Sequence, residues 1–483
     1  MSPLPAPAVQ WLAAGLLVVL AWLLVGAKRG QRLPPGPRSH FWTGAKVKDG
    51  TPPWLRYARL HQEHGEIITL SSGPLQPKMF VLGTAAAAHE ILDRHSSSSA
   101  GRPRLVTLQE VVSQNMRTLS MDVGPRWSRY RKAMAETLAE GSARHYQPVQ
   151  EKEARITVDA LARQPSSFAQ QFQRMSASGI MTVTYDHPLS RMDDVWIVRL
   201  FDSIKNVAPF FIARTYLDRL PVLVHLPMFL NPVKRRALEI HAQELALFTD
   251  MYATVRTRRD EGKAADSFAS RLQERQARLG LSDAEAAYLS GALYFAGSDT
   301  TSAALSAFVL AMVSNPKAQR RAQAELDAVV GSERMPTFDD LPQLPILRAT
   351  LFESMRWRPI SPLGFPHRLT EDVPYKNYVL PKGSTVLANI WSIHHDPREY
   401  SDPDVFNPDR FLENGAFRGT WFSPQRGHAG FGHGKRICPG LHVAERSLLI
   451  GAASLLWAFT MAGEVDTMAF ANKLPTAPLP FDA

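Results

Sequence analysis

The chain is almost free of cysteine, with one residue, Cys438, among 483. A disulfide within the chain needs two thiols, and so does a zinc or iron–sulfur site built from clustered cysteines, so both are excluded. One thiolate can still bind one metal ion. The lack of disulfides is typical of a protein body that is kept in a reducing compartment.

The sequence also lacks a large excess of either charge. Fifty-five Lys and Arg oppose 45 Asp and Glu, which gives a formal net charge of +10. This excess is modest for a nucleic-acid binder, so we expect no nucleic-acid partner, and an acidic protein surface is the partner that it favours. Internal repeats and low-complexity linkers are absent as well. With 45% hydrophobic residues, residues 39–483 are predicted to form one globular domain.

One long apolar run is present, from Val9 to Ala27, and it contains no charged side chain. As a helix rising about 1.5 Å per residue it would be roughly 28 Å long, close to the hydrocarbon thickness of a bilayer. Residues 1–30 are therefore predicted to be a membrane anchor. A cleaved signal peptide is the alternative, but the run has no positive segment before it and exceeds the usual length of roughly 7–15 residues.

The segment after the apolar run orients the anchor. The positive charges that follow it are Lys28, Arg29, Arg32 and Arg38. Because positive charges favour the cytosolic side, the body of the protein is predicted to lie in the cytosol. Residues 31–38 include three prolines, which predicts a stiff hinge between the anchor and the globular domain.

Hydrophobic periodicity predicts a mainly helical domain with a small β region. Residues 67–70 and 79–82 read as strands of one small sheet, and a second hairpin is expected around 378–390. The clearest helix begins at Ser282, where Glu285 completes a capping box, and ends near Ser314.

The stretch from Phe201 to Leu230 is unusually apolar for a surface, and its prolines make it too short to cross a membrane. Two interpretations remain open for this stretch. It either lies in the membrane interface near the anchor or forms an ordinary core segment interrupted by turns.

The most informative segment is Phe431-Gly-His-Gly-Lys-Arg-Ile-Cys438-Pro-Gly440. Its glycines allow a tight loop whose backbone lies close to a flat ligand. Pro439 suits the first position of a helix, so Cys438 is predicted at a helix N-terminus, where the helix dipole favours the thiolate that binds metals. A lone cysteine is more often a small buried apolar residue, but this spacing favours the ligand.

This segment is similar to the haem-binding loop of the cytochrome P450 (haem-thiolate monooxygenase) family. The resemblance implies that Cys438 is the proximal ligand of haem b iron, a ligation that favours O–O cleavage. It also implies that Phe431 packs near the cysteine, that Gly440 belongs to the cofactor loop and that Arg436 pairs with a haem propionate.

Other landmarks of the family occur in the expected order. Glu353-x-x-Arg356 resembles the buried Glu/Arg pair of the family, and Arg410 in a following meander segment would join it in a structural network. Trp127-x-x-x-Arg131 matches a haem-contacting helix. His367 occupies another position that contacts a propionate in the family, so several donors are expected for two carboxylates.

Gly297, Asp299 and Thr300 lie in the middle of the predicted long helix, where glycine and a buried acid are both unfavourable. In the matching family motif Gly297 makes room over the iron, while Asp299 and Thr300 guide protons to bound dioxygen. Relatives that merely rearrange peroxides lack this pair.

The resemblance implies the cytochrome P450 fold, with haem between the long helix and the cysteine loop, plus an N-terminal transmembrane helix. It implies a monooxygenase that takes O2 as co-substrate and electrons from NADPH through NADPH-cytochrome P450 reductase, with cytochrome b5 as a further candidate partner. The expected location is the endoplasmic reticulum membrane. The basic residues expected to face the reductase are Arg126, Arg129, Arg131, Lys132 and Lys435. A haem-thiolate isomerase and a non-catalytic membrane haem protein are the alternative functions.

By position, the substrate pocket is expected to draw on residues 102–121, 201–211, 293–300 and 360–365 and on the tail near Leu474. These stretches are largely apolar, which predicts a lipophilic small molecule. The details of the chain look most like fungal microsomal members of natural-product pathways, and the tail after Leu448 is expected to be about twenty residues shorter than in those relatives.

Overall fold

A computed structural model describes residues 32–38, 50–71, 77–189, 191–212, 214–421, 428–465 and 467. The predicted anchor and Leu474 lie outside the described residues. Of the predicted hinge, residues 32–38 are described, and they are without helix or strand.

The described part of the chain is mainly helical, as predicted. Its α-helices are α1 Pro53–His64, α2 Ala85–Ala88, α3 Ser96–Ser99, α4 Pro125–Leu138, α5 Glu140–Ala143, α6 Gln147–Arg163, α7 Phe168–Tyr185, α8 Val195–Ile212, α9 Tyr216–Arg219, α10 Pro232–Asp260, α11 Phe268–Leu279, α12 Asp283–Ser314, α13 Pro316–Val329, α14 Pro345–Trp357, α15 Ile390–His394 and α16 Leu441–Ala458. Two π-helical segments span His89–Arg94 and Val106–Val112. Short 3₁₀ turns are Arg144–Tyr146, Pro165–Ser167, Pro221–His225, Met228–Leu230, Leu341–Gln343, Pro408–Phe411, Ala429–Phe431 and Gly434–Arg436.

The strands form three small sheets. They are β1 Ile67–Leu70, β2 Met79–Leu82, β3 His367–Arg368, β4 Val373–Tyr375, β5 Tyr378–Leu380, β6 Thr385–Ala388, β7 Leu412–Glu413 and β8 Ala416–Phe417. The main sheet has the order β1-β2-β6-β3, and two-stranded sheets are formed by β4 with β5 and by β7 with β8.

The two strands predicted near the start are confirmed and pair antiparallel. The second predicted hairpin is wrong in its pairing. β5 pairs with the preceding β4, whereas β6 runs parallel to β2, with Phe80 opposite Val386. Because β2 lies about three hundred residues earlier in the chain, local alternation carries no signal for this pairing.

Helix α12 is the central helix, and its predicted bounds are confirmed. Ser282 accepts a hydrogen bond from the backbone N–H of Glu285, and the Glu285 carboxylate accepts one from the backbone N–H of Ser282. Within the part of the chain that the structure describes, α12 is the one helix long and apolar enough to cross a membrane, yet 61% of that window is buried inside the protein. This burial identifies α12 as a core helix.

Two apolar clusters meet at α12. Ala304, Leu305 and Phe308 join a cluster that includes helices α14 and α16, whereas Tyr288 and Tyr294 join one that includes α4, α10 and α11. The N-terminal half of α12 therefore packs against one bundle of helices and its C-terminal half against another. Gly297, Asp299 and Thr300 lie between the two halves.

The stretch from Phe201 to Leu230 is partly core and partly surface, and its contact with a membrane interface stays a prediction. Val207 and Leu217 are buried, but Val222 is 70% exposed and Phe229 79% exposed. The segment is thus anchored in the core at its start and presents apolar side chains to the outside near its two 3₁₀ turns.

Candidate active site

A gap in the packing lies on one face of α12. Ala296 and Thr300, one helical turn apart, are exposed although Leu293, Ser298 and Ala304 on either side are buried. Exposure in the middle of a central helix indicates a cavity beside it.

Cys438 belongs to the same part of the molecule. It is partly exposed, and it packs against the apolar cluster that contains Leu305 and Phe308 of α12. The cysteine loop and the Thr300 face of α12 are therefore close enough to border one interior site.

The loop around Cys438 is held by its own backbone. The N–H of Cys438 donates to the carbonyl of Phe431 at 2.8 Å, and the N–H of Ile437 donates to the carbonyl of Gly434 at 3.1 Å. The backbone N–H of Gly440 donates a hydrogen bond to the sulfur. The sulfur thus has a fixed position and one donor directed at it.

Two details predicted for Cys438 are wrong. The helix begins at Leu441 with Gly440 as its cap residue, so Pro439 does not open it. Burial raises the pKa of the Cys438 thiol, although the Gly440 N–H and the charge of Arg131 act in the opposite direction. Desolvation outweighs the helix terminus here, so the chain alone favours the thiol and a bound metal cation is needed to favour the thiolate.

The loop between Phe431 and Cys438 needs a glycine at position 434. The φ of Gly434 is +52°, and a Cβ at this position would lie 2.1 Å from the carbonyl oxygen of Leu92. The N–H of Gly434 donates to Asp93 at 2.7 Å, and the ring of His433 lies 3.3 Å from the same carboxylate. Burial acts to raise the pKa of Asp93, but these hydrogen bonds lower it overall. The loop is thereby fixed to the π-helical segment before α3.

Three arginines, here called the arginine cluster, surround the cysteine loop: Arg102, Arg131 and Arg436. Arg102 donates to the carbonyls of Leu119, Phe365 and Pro366. Arg436 donates to the carbonyls of Ala100 and Met121, each at 2.7 Å. Arg131 donates to the carbonyl of Ile437 at 3.0 Å. All these acceptors are neutral backbone oxygens.

The charges of the arginine cluster are poorly compensated. Burial lowers the pKa of Arg102 to about 10, and burial together with Arg102 and Arg131 lowers that of Arg436 to about 9. Asp122 is the one carboxylate that acts in the opposite direction on either residue, and it also pairs with Arg368. Cations whose pKa is lowered by burial indicate a place where further negative charge is stabilised.

Two more predicted residues border the arginine cluster. The indole of Trp127 lies 4.5 Å from the guanidinium carbon of Arg436, and its buried N–H has no acceptor among the described residues. His367 is buried, with Nδ1 2.8 Å from the carbonyl of Ser99, and burial together with Arg102 lowers its pKa to about 3. A neutral His367 and the indole N–H are therefore uncharged partners beside the three cations.

The donor set fits a haem. A buried sulfur supplies one ligand for iron, and the arginine cluster with the orphaned Trp127 N–H supplies donors for two propionates. Phe431, Ile437 and Cys438 provide apolar contacts on the loop side. Arg131, Arg436, Trp127 and His367, all predicted for the cofactor, thus lie close together around the cysteine loop.

A second group of charges, here called the Glu353 network, comprises Glu353, Arg356 and Arg410. Glu353 and Arg356 are fully buried and joined by two hydrogen bonds of 2.6 and 2.8 Å. Arg356 also donates to the carbonyl of His394 at 2.7 Å, and Arg410 lies 3.4 Å from Glu353. The N–H of Asn407 donates to Glu353 at 2.8 Å. The network joins α14 to the segment that precedes the cysteine loop.

Asp299 and Thr300, the two residues of α12 predicted to guide protons, have side chains in different surroundings. The hydroxyl of Thr300 donates to the carbonyl of Ala296 at 2.6 Å and is exposed to the cavity. Burial raises the pKa of Asp299, against a hydrogen bond from Gln173 of α7. Asp299 is thus a partly buried acid that holds its proton to higher pH than usual, and the next residue in the chain is Thr300 with its exposed hydroxyl.

Gly297 has a packing explanation of its own. A Cβ at this position would lie 2.8 Å from the side chain of Ile180 on α7, so glycine allows the two helices to approach closely. The direction of the missing side chain is toward α7. That Gly297 also makes room over the iron stays a prediction.

Two features of the site were missed by sequence reasoning. Arg102 was assigned to a substrate-pocket stretch and not to the arginine cluster, and Asp122 was not singled out. The basic face expected for a reductase is also more neutral than predicted, because Arg126 and Arg129 lie 2.7 and 3.9 Å from Glu285. An arginine followed by Pro103 before a helical stretch is too common a pattern to have revealed Arg102.

Comparison with known proteins agrees with this geometry. The family model described as "Cytochrome P450" matches residues 34–480. Cytochrome P450 monooxygenase 58 of Postia placenta is 37% identical over 453 residues, covering 93% of this chain and 85% of the relative. A cytochrome P450 monooxygenase of Armillaria gallica is 34% identical over 461 residues, covering 94% and 89%. Cytochrome P450 monooxygenase virE of Hypocrea virens is 33% identical over 467 residues, covering 94% and 84%.

Solved structures show the same fold. A zebra fish cytochrome P450 with progesterone matches with a TM-score of 0.71 and 25% identity, covering 84% of this chain and 92% of that one. A zebra fish cytochrome P450 with abiraterone matches with a TM-score of 0.67 and 26% identity, covering 84% and 91%. The predicted family is thereby confirmed: this chain belongs to the cytochrome P450 family and is a monooxygenase of that family.

Proposed function

We propose that the protein inserts one oxygen atom of O2 into a lipophilic small molecule, with electrons that come from NADPH through a separate reductase. Cys438 would bind the iron of haem b through its sulfur, and Arg102, Arg131, Arg436, Trp127 and His367 would hold its propionates. The observation that carries it is the exposure of Ala296 and Thr300 in the middle of the central helix, whose C-terminal half belongs to the apolar cluster that Cys438 packs against. When bound there, haem supplies the redox chemistry that activates oxygen.

The chain's own residues supply position and protons. Asp299 keeps a proton to higher pH than an exposed acid does, because burial raises its pKa. Thr300, the next residue, presents a hydroxyl to the cavity and can pass that proton inward after releasing its bond to the Ala296 carbonyl. The apolar face of α12 excludes bulk water from the reacting region.

Turnover with defined components tests this function. Purified protein with haem, reductase, NADPH and a lipophilic compound is expected to give an oxygenated product that carries one atom from ¹⁸O2. A thiolate-haem isomerase would instead give product without reductase, and a non-catalytic haem protein would give none. The presence of Asp299 and Thr300 favours the monooxygenase.

Thr300→Ala tests the proton path. We expect NADPH consumption to continue while product falls several-fold and hydrogen peroxide rises, because protons no longer arrive in order. Thr301→Ala is the matched control, since Thr301 is buried and faces away from the cavity. Unaltered coupling in Thr300→Ala would mean that protons take another route.

The reductase is proposed to dock on exposed lysines near the cysteine loop. Lys132 and Lys435 are both exposed, whereas Arg126 and Arg129 are already paired with Glu285. Reversal of both lysine charges is expected to raise the KM for reductase and to reduce its dependence on salt, with little effect on haem content. An unchanged KM would remove this face from the proposal, and cytochrome b5 would be tested on the same variant.

Attachment to the endoplasmic reticulum membrane is proposed to use the N-terminal anchor together with the apolar surface near Val222 and Phe229. Exposed apolar side chains of this size favour an interface over water. A fluorophore on Val222→Cys is expected to shift to the blue when the full chain is placed in phosphatidylcholine vesicles. The control is Val405→Cys, since Val405 is 57% exposed elsewhere on the surface, and equal shifts at both positions would argue against the contact.

A role in fungal natural-product metabolism is supported by the fungal relatives. Phe295, Ile360 and Leu363 lie in the stretches expected to form the substrate pocket, and their apolar side chains suit a lipophilic substrate. Metabolite profiling of a host that co-expresses the protein and a reductase, fed with terpenoid, polyketide and indole precursors, is expected to reveal the oxidised product.

A further inference from the structure

Arg117 is a further buried arginine, and it belongs to neither the arginine cluster nor the Glu353 network. Arg117 is 4% exposed and sits in the loop between the second π-helical segment and α4. Its Nη2 donates to both oxygens of Glu244 on α10, at 2.8 and 2.7 Å. Glu244 in turn accepts hydrogen bonds from Tyr288 of α12 and Ser203 of α8, at 2.6 and 3.0 Å. The carboxylate is therefore saturated by protein donors.

The guanidinium of Arg117 is not saturated. Its Nε is buried without an acceptor among the described residues, and none of the hydrogen bonds in the described chain uses Nη1. Three of its five N–H groups are therefore unused, because Nε carries one and Nη1 two. Unused donors on a buried side chain cost about 1–3 kcal/mol per group unless something satisfies them.

A second buried pair shows that this is not a property of buried arginines in general. Arg174 and Glu153 are 7% and 3% exposed and lie 2.6 Å apart. All three nitrogens of Arg174 have acceptors: Nε donates to Gln171, Nη1 to Glu153 and Nη2 to Thr157. The protein thus gives every nitrogen of Arg174 an acceptor, whereas Nε and Nη1 of Arg117 have none among the described residues.

The unused N–H groups lie beside the cavity. The guanidinium carbon of Arg117 is 5.2 Å from the ring centre of Phe295 and 5.7 Å from that of Phe211. Phe295 is partly exposed and is followed directly by Ala296, which faces the cavity. Phe211 is 43% exposed. Arg117 is thereby a polar group among aromatic side chains at the edge of the site.

We propose that Arg117 is a specificity-determining residue that binds one uncharged oxygen acceptor, a carbonyl, of an otherwise lipophilic substrate. Glu244 already balances the charge of Arg117, so a carboxylate would leave a net negative charge in an apolar pocket, whereas a carbonyl satisfies the unused donors at no such cost. This inference rests on the proposed function and narrows its substrate class.

The residues of α12 that Arg117 contacts also predict how far the substrate carbonyl lies from the oxidised carbon. Arg117 contacts Phe295 and Tyr288, which precede Thr300 by five and twelve residues. At about 1.5 Å per residue these positions lie roughly 8 and 18 Å from Thr300 along the helix axis. The carbonyl is therefore expected about 8–18 Å from the carbon that is oxidised.

The test uses ferric haem-loaded protein and matched pairs of probes that differ by one carbonyl oxygen. The pairs are nootkatone with valencene, 5α-pregnan-20-one with 5α-pregnane and 2-tridecanone with tridecane. Binding is measured by the shift of the haem absorption band, which requires neither reductase nor turnover. At least one ketone is expected to bind about tenfold or more tightly than its hydrocarbon, as a hydrogen bond to a charged group implies.

The double variant Arg117→Met/Glu244→Met removes the donors without leaving a buried charge unpaired. Its preference for the ketone is expected to fall to about one, while haem content stays normal. Arg174→Met/Glu153→Met is the matched control and is expected to keep the wild-type preference. If the first variant does not fold, a crystal structure of the wild-type complex with the ketone decides, with the carbonyl oxygen expected within hydrogen-bond distance of Nε or Nη1 of Arg117.

A panel in which no ketone binds more tightly than its hydrocarbon overturns the assignment, as does a preference that survives loss of Arg117. These results are separate from failure of the proposed function. That failure would appear as absent NADPH-dependent oxygenation in protein that binds ligands normally.

Discussion

In the Glu353 network every nitrogen of Arg356 donates to an oxygen of the chain, and Glu353 supplies the balancing charge. Around the cysteine loop, Arg102, Arg131 and Arg436 donate to neutral carbonyls, and burial lowers the pKa of each of them. Both groups are held by the same fold, yet one is complete and the other is not. From this difference we infer that the first group stabilises the polypeptide, and we propose that the carboxylates of a ligand complete the second.

Breaking the complete network should have the largest effect. Arg356→Met leaves Glu353 buried with Arg410 as its remaining cation, so we expect the free energy of unfolding to fall by about 3–5 kcal/mol. Chemical denaturation of the protein measures it. The control is Arg163→Met, since Arg163 and Asp159 are 77% and 60% exposed, and a change within about 0.5 kcal/mol is expected there. A small change in Arg356→Met would show that the network does not hold the core.

Disrupting the arginine cluster should weaken haem binding more than it destabilises the polypeptide. Arg436→Leu removes a cation whose pKa is lowered by Arg102 and Arg131, so the apoprotein is expected to lose little stability. Haem binding is expected to weaken by about 1.5–3 kcal/mol, the worth of a charge-assisted hydrogen bond. The rate of haem transfer to an acceptor apoprotein measures this loss. Unchanged haem retention together with an unstable apoprotein would reverse the distinction.

Low pH should destabilise the protein around the Glu353 network, because His428 lies close to the charge of Arg356. Burial and the charge of Arg356 lower the pKa of His428 to about 3, against about 6.5 in the unfolded chain. The unfolded state therefore binds a proton first, so stability is fully present above about pH 6.5 and declines as the pH falls toward 3. At pH 5 the loss from this residue is about 2 kcal/mol.

His428→Asn checks this pH dependence. Asparagine keeps an acceptor for the N–H of Gly430, which the histidine ring accepts at 3.1 Å. We expect a flatter plot of unfolding free energy against pH between 6.5 and 3, whatever the absolute stability. An unaltered slope would assign the acid sensitivity to other groups.

The smallest effect should come from the indole N–H groups. Trp127→Phe removes a buried donor without an acceptor in the described chain, so apoprotein stability should not fall while haem affinity drops by about 0.5–1.5 kcal/mol. Trp357→Phe is the opposite control, because its N–H donates to the carbonyl of Asp404 at 2.9 Å. In Trp357→Phe the free energy of unfolding should fall, and the affinity for haem should equal that of the wild type. Equal behaviour of the two variants would remove the contrast between the two regions.

Prediction from sequence succeeded where the signal is local. The capping box at Ser282, the strands at 67–70 and 79–82 and the turn spacing of Trp127 and Arg131 depend on neighbouring residues. The parallel pairing of β2 with β6 and the approach of Arg102 to Arg436 join distant segments, so no local pattern reveals them. The pKa of Cys438 was predicted in the wrong direction because burial, which outweighs the helix terminus, depends on the whole fold.

Most of the candidate site residues were predicted from their resemblance to family motifs. The contacts between residues that lie in no motif became visible only in the structure. Gly297 was recognised by its place in a motif, but its contact with Ile180 came from the structure. Arg117 and Glu244 lie in no motif and are joined across 127 positions of the chain. Such a pair is visible only once four segments of the chain have been brought together.

The central claim is that the sulfur of Cys438 binds the iron on the side opposite Thr300. The most direct measurement is the absorption spectrum of the reduced, haem-loaded protein with carbon monoxide, compared with that of Cys438→Ser. The account predicts the strongly red-shifted band of a thiolate ligand in the wild type and its loss in the variant. A wild type without that band, or a variant that keeps it, would contradict the account.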